Sequence, residues 1–194
     1  SWSIPINPEF SDKPLSSKEN FMKGALAIAV NGIPIFNPLN NRGEDASAIG
    51  ELDQWGGHCG KADDYHYHLP PTHLSDVVGN NSPIAYSLDG FPVYGKTDKL
   101  LDENLGILNE DGSYHYYSVD DYPYFIANMK GKITTSGIAP ENQIDPQSVT
   151  SAIRPALNPL KDAVITNFTK IDSNSYQLKY EINSEIFIID YYWD

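Results

Sequence analysis

Five histidines occur in the 194 residues, and three of them, His58, His66 and His68, fall within the thirteen-residue stretch 56–68. His73 lies just beyond it, and His115 stands alone further on. Tyr-His-Tyr-His at 65–68 predicts a strand, because aromatic residues favour a pleated surface and alternate side chains point to opposite faces. His66 and His68 then share one face, roughly 6–7 Å apart, and Tyr65 and Tyr67 occupy the other. His58 sits on a glycine-rich turn that can bring a third imidazole to the same place. Imidazole is the commonest transition-metal side-chain ligand, and zinc and copper suit it best. The bland alternative is a set of core or surface histidines stacked among aromatic rings. Cys59 is a possible fourth ligand, although neighbouring side chains seldom converge on one ion. His73, after Pro70 and Pro71, reads as a surface-loop histidine.

The elements that must position these residues are written twice. Residues 25–36 are two apolar runs joined by Asn31-Gly32, a strong hairpin signal, and residues 85–94 repeat the pattern around Asp89-Gly90. Pro34 and Pro92 match, and a proline that cannot donate to a ladder predicts an edge strand or a bulge. The histidine stretch also recurs. Residues 52–68 align without a gap on 101–117 at a constant offset of 49, with six of seventeen positions identical. Hairpin followed by histidine strand, in the same order twice, predicts an internal duplication with units of about 24–75 and 82–126. His58, Cys59 and His68 of the first copy face Ile107, Leu108 and Tyr117 in the second, and only His66 keeps its counterpart, His115. A site in copy one beside a degenerate copy two explains that asymmetry. If residues 65–68 and 114–117 lay side by side as central strands about a pseudo-twofold axis, His115 would join His58, His66 and His68 as a ligand.

The chain carries 26 Asp and Glu against 13 Lys and Arg, a formal charge of −13. That balance argues against nucleic acid or an anionic membrane surface as partner, and no run of 18 apolar residues predicts a membrane span. One cysteine excludes an internal disulfide framework. Thirteen tyrosines with 14 glycines and 14 prolines favour strands, turns and ordered loops over helix bundles. The expected fold is all-β: an extended N-terminal arm over 1–23, the duplicated domain over 24–130 with a long loop at 37–50, and a connecting segment over 131–162. Residues 131–144 read as loop. Asp145 and Pro146 suit the N-cap and first position of a short helix. Strands at 163–171, 175–182 and 185–192 make a small C-terminal β-meander packed on the core with one wet face.

The phrase Asp64-Tyr65-His66-Tyr67-His68, followed by the run from Pro83 through Asp89-Gly90-Phe91-Pro92-Val93-Tyr94-Gly95, resembles the YHYH domain family. Gly57-His58 ahead of it fits, as do Leu101-Asp102, Gly112-Ser113-Tyr114-His115-Tyr116 and Tyr122-Pro123-Tyr124. The similarity covers roughly residues 24–130. It departs at Tyr117, where the family often carries a second histidine. The resemblance implies a bacterial, often exported protein and names no substrate. Since the chain opens at Ser1 rather than Met, a removed secretory signal and a secreted, periplasmic or cell-surface location are expected.

Three readings of function follow. The first is a domain binding one zinc or copper ion. The second is a metal-dependent hydrolase or oxidoreductase on that site, because three histidines and an open position let a metal lower the pKa of bound water toward ~7. Asp89 is the candidate general base there, since only this copy of the turn carries a carboxylate. Asp63 and Asp64 could orient the imidazoles through their second nitrogens. The third is a secreted adhesion or carbohydrate-contact module with Trp55 and Trp193 as platforms. A small-molecule or protein partner is open in all three.

Overall fold

The computed structural model describes residues 2–60, 64–148 and 160–193. They form two compact units, 1–154 and 155–194. In chain order the first unit has β1 (Phe10–Ser16), β2 (Ala25–Ala29), β3 (Pro34–Phe36), β4 (Gly57–Cys59) and β5 (Tyr65–Tyr67). A 3-10 turn (Thr72–Leu74) and the four-residue α1 (Ser75–Val78) follow. Then come β6 (Ala85–Ser87), β7 (Pro92–Tyr94), β8 (Gly106–Leu108), β9 (Tyr114–Tyr117), β10 (Asn128–Gly131), β11 (Thr134–Ser136) and β12 (Gln143–Asp145). The second unit is β13 (Val164–Asp172), β14 (Ser175–Ile182) and β15 (Glu185–Tyr192). Among the described residues no helix is long and apolar enough to cross a membrane.

Eight strands make one sheet in the order β4-β5-β3-β2-β6-β7-β9-β8, a palindrome of two four-stranded halves. The duplication is therefore structural, and each pairing in one half has its image in the other. Gly57, His58 and Cys59 stand opposite Tyr67, His66 and Tyr65, as Gly106, Ile107 and Leu108 stand opposite Tyr116, His115 and Tyr114. The parallel bridge of Ile35 to Tyr67 has its image in Val93 to Tyr116. At the centre Ile28 pairs with Tyr86, its own counterpart at an offset of 58, so the pseudo-twofold axis passes between them. The flanking bonds obey it: Val30 N–H donates to Ile84 O and Leu88 N–H to Leu26 O, both at 2.9 Å. The two hairpins close alike, through Ala29 N–H to Ile33 O and Ser87 N–H to Phe91 O, each 2.9 Å.

The alanine-rich β2 is the physical reason for this order. Four of its five residues are buried, with Ala25, Ala27 and Ala29 on one face and Leu26 and Ile28 on the other, as a central strand covered on both faces requires. The histidine strands consequently lie outside the hairpins and not at the axis. This corrects the expectation of β5 beside β9: five inter-strand steps of ~4.8 Å separate them, roughly 24 Å. Pro34 and Pro92 do not mark edges either, because β3 and β7 each have neighbours on both sides. Each proline opens its strand, and β5 meets β3 only at Ile35, so the missing N–H interrupts little of the ladder.

Over the second copy runs a two-stranded ribbon in which β1, from the N-terminal arm, pairs antiparallel with β10. Its Lys132 and Glu9 side chains pair at 2.7 Å. The arm approaches so closely at Pro5 and Pro8 that a Cβ on Gly90, already at φ +98°, would meet them at under 3.0 Å. Residues 131–144 are not simply loop. β11 and β12 form a hairpin turned at Gly137, with Ile144 buried. Nor does Asp145 cap a helix: it ends β12, and the Gln147 amide accepts from Ala25 N–H at 2.9 Å and donates to Ala25 O at 3.1 Å. Those two bonds hold the segment along β2. The rest of the expected helix, 149–159, lies outside the described residues. The second unit, taken by itself, is the expected three-stranded meander, with Tyr176, Leu178 and Tyr180 opposite Tyr191, Ile189 and Phe187 on one apolar face.

Candidate metal centre

Alternation along β5 and on to His68, the next residue, places His66 and His68 on one side of the sheet and Tyr65 and Tyr67 on the other. The rings of the two histidines are 5.1 Å apart and those of the two tyrosines 5.5 Å. His58 comes from the antiparallel neighbour β4, directly opposite His66. Gly57 is required for that approach, because a Cβ there would lie 2.5 Å from His66 O and 2.6 Å from the Tyr65 hydroxyl. Tyr65 lies across the glycine and donates to Asp53 Oδ2 at 2.9 Å, pinning the turn that leads into β4.

One ring nitrogen from each of His58, His66 and His68 lies within 4.8 Å of the other two. His58 Nε2 and His68 Nε2 are 3.2 Å apart. Ligands at the ~2.0–2.1 Å zinc–nitrogen distance and tetrahedral angles stand about 3.3–3.4 Å from one another, so this pair is already at ligating separation. The second nitrogens are engaged with main-chain oxygens: His66 Nδ1 with Asp64 O at 3.0 Å, His68 Nδ1 with Asn37 O at 2.5 Å. A carbonyl can only accept, so both imidazoles carry their proton on Nδ1 and keep Nε2 as a lone-pair donor. Asp64 thus acts through its carbonyl oxygen. Phe36 stacks on His66 at 4.3 Å and meets His68 edge-on at 6.3 Å, closing the apolar side.

Burial keeps both strand histidines neutral, as ligation requires. It lowers the His66 pKa, and it pulls His68 down to about 4 against the opposing hydrogen bond to Asn37. A carboxylate balances the cluster. Glu51 interacts electrostatically with both His58 and His68. It is held by Arg42 Nη2 and by Asn40 Nδ2, the latter at 3.2 Å, and its pKa is lowered chiefly by the bond to Arg42. Sequence reasoning missed Glu51, yet the offset of 49 carried one position further pairs it with Leu100. Glu51, His58 and His68 are thus replaced together by Leu100, Ile107 and Tyr117 in the second copy.

The remaining candidates lie elsewhere. His115 is at the far side of the sheet, opposite Ile107 and 4.8 Å from the Tyr94 ring, and the structure does not bring it to the cluster. Its pKa is lowered by burial. Cys59 is exposed, one residue along from His58 and so on the tyrosine side. His73 is also on that side, its Nε2 3.5 Å from the Tyr67 hydroxyl. Asp89 is fully buried in the second copy. Its Oδ2 accepts from Tyr116 Oη at 2.6 Å and Gly131 N–H at 2.9 Å, and burial raises its pKa. Asn31, its counterpart, donates to Tyr67 Oη at 3.1 Å. Asp89 therefore anchors a tyrosine beneath the ribbon, and it has no route to the histidines as a general base.

The family described as YHYH protein matches the chain over residues 1–107, which takes in the N-terminal arm, the first copy and the second hairpin. No curated protein and no solved structure matches it.

Proposed function

We propose that the chain, which belongs to the YHYH protein family, is a domain that holds one zinc or copper ion on His58, His66 and His68. The observation that carries this reading is the convergence of three imidazole nitrogens within 4.8 Å, two of them oriented by main-chain carbonyls. Among the described residues the cluster offers three nitrogen donors, and three protein donors are the pattern of a site with an open position. A metal held so supplies Lewis acidity toward an oxygen ligand in that position. The chain's own contribution is to orient the imidazoles through Asn37 and Asp64, to keep them neutral by burial, and to set the Glu51 carboxylate nearby under the hold of Arg42 and Asn40. Glu51, rather than Asp89, is the group that would handle a proton if the site is hydrolytic. The family's frequent export supports a secreted, periplasmic or cell-surface setting, where an imidazole site would meet zinc and copper directly.

Elemental analysis of protein made without added metal or a chelating purification step tests the reading. About one zinc or copper per chain is expected, or tight uptake of one. His66→Ala and His68→Ala should each abolish it, while His73→Ala and His115→Ala leave it intact. A His66→Ala/His68→Ala double variant that binds metal as well as wild type would end the proposal.

A further inference from the structure

The opposite side of β5 carries an open hollow of 340 Å³, lined by Ile33, Asp53, Trp55, Tyr65, Tyr67 and His73. The pseudo-twofold axis shows what such a place accepts. At the corresponding offsets the second copy presents Phe91, Asp102, Asn104, Tyr114 and Tyr116. The common features match closely. Tyr114 donates to Asp102 as Tyr65 donates to Asp53, each at 2.9 Å to Oδ2. The tyrosine rings meet edge-to-face at 5.2 Å there and 5.5 Å here.

In the second copy this place is occupied. Phe10, carried on the extended β1, stacks on Phe91 at 5.3 Å and meets Tyr114 edge-on at 6.1 Å. β10 alongside donates from Lys130 N–H to the Tyr116 hydroxyl at 2.7 Å. Tyr114 is consequently 1% exposed, whereas Tyr116 at 0% differs little from its counterpart Tyr67 at 3%. In the first copy Tyr65 remains partly exposed. Trp55, standing where the second copy has Asn104, is 48% exposed. It is braced by the His73 ring at 4.7 Å. A tryptophan in place of Asn104 adds a ring wall to a hollow that the smaller Ile33, in place of Phe91, leaves unfilled. An empty cavity of ~150 Å³ already admits benzene, so 340 Å³ accommodates a phenyl ring and part of the chain that bears it.

We infer that this hollow is a docking site for an aromatic side chain presented on an extended peptide, the intermolecular counterpart of the seat that Phe10 takes in the second copy. Strand-borne recognition of this kind draws specificity from a pocket for one side chain, and Trp and Tyr supply rigid contact area with few torsions to freeze. The site lies on the face of β5 opposite the three histidines, so it does not rest on the metal reading.

The test uses the full chain labelled with 5-fluorotryptophan, whose three fluorine resonances report Trp2, Trp55 and Trp193 separately. The probe is the acetylated, amidated hexapeptide Pro-Glu-Phe-Ser-Asp-Lys, copied from residues 8–13, beside the same peptide with Ala for Phe. A saturable shift of the Trp55 resonance by the Phe peptide is expected. The Ala peptide should bind about 4- to 20-fold more weakly, the loss that follows from a ring buried as far as Phe10 is, which keeps 42% of its surface exposed. Ile33→Lys, which lays a long chain across the hollow, should remove the shift while the melting temperature confirms folding. Equal shifts from both peptides would overturn the proposal, as would a shift from chitotriose alone, which would make the hollow a sugar site. So would silence up to about 5 mM peptide, beyond the millimolar Kd that one ring contact sustains.

Discussion

Acidifying the metal-free protein from pH 7 to pH 4 tests the burial of the histidine cluster directly. Folded His68 resists its proton until about pH 4, whereas an unfolded chain takes it up near 6.5. Between those values the unfolded state binds more protons, so stability rises with pH across the window. Read downward, the loss begins near pH 6.5 and is complete near pH 4. At 1.36 kcal/mol per pH unit the gap between 6.5 and about 4 corresponds to about 3 kcal/mol. For a unit of this size that is roughly 6–12 °C of melting temperature. His66 moves in the same direction for the same reason, desolvation of its charged form. The assay is urea and thermal denaturation at pH 7, 6, 5 and 4, on EDTA-dialysed wild type and on His68→Gln. Buried and bonded carboxylates also lose stability in acid, and they do so equally in both proteins, so the difference between the two curves isolates His68. Wild type should lose about 3 kcal/mol more than the variant across the window. Parallel curves would show that His68 is solvated enough to titrate normally, and the account of a neutral, desolvated ligand set would fall with it.

Glu51→Leu, which writes the second copy's residue into the first, should weaken metal affinity by the ~10–100-fold typical of a lost supporting group, with little change in melting temperature; competition against a chromophoric chelator measures it, and unchanged affinity would detach Glu51 from the site. Asp89→Asn should leave metal content unchanged and lower stability by roughly 1–3 kcal/mol, because the Tyr116 hydroxyl and the Gly131 N–H share one carboxylate oxygen as acceptor in a fully buried place. A fall in metal content without a fall in stability would instead return Asp89 to the site.

Residue order alone determined the periodic features. Tyr-His-Tyr-His alternation put two imidazoles on one face, Asn31-Gly32 and Asp89-Gly90 specified the hairpins, and a constant offset of 49 exposed the duplication. These are local: a strand's two-residue period and a turn's backbone angles follow from neighbouring residues. The C-terminal strands were legible for the same reason, since clean alternation between short polar turns needs no distant partner.

What only the tertiary structure decided was which strands are neighbours. Repeats say that two units are alike and leave open where their axis lies. β2, buried at four of its five positions, lies at that axis beside β6, and His115 therefore stands roughly 24 Å from His66. Hydrogen bonds between residues distant in sequence were equally hidden. The Asn37 carbonyl that sets the His68 tautomer lies 31 positions away, and the Gln147 amide that ties the segment after β12 to β2 bonds to Ala25, 122 positions away. Asp89 shows the limit most plainly. As a turn residue it carries a carboxylate whose purpose the sequence leaves open, and folding settles the matter by burying it under β10 with Tyr116 as its partner.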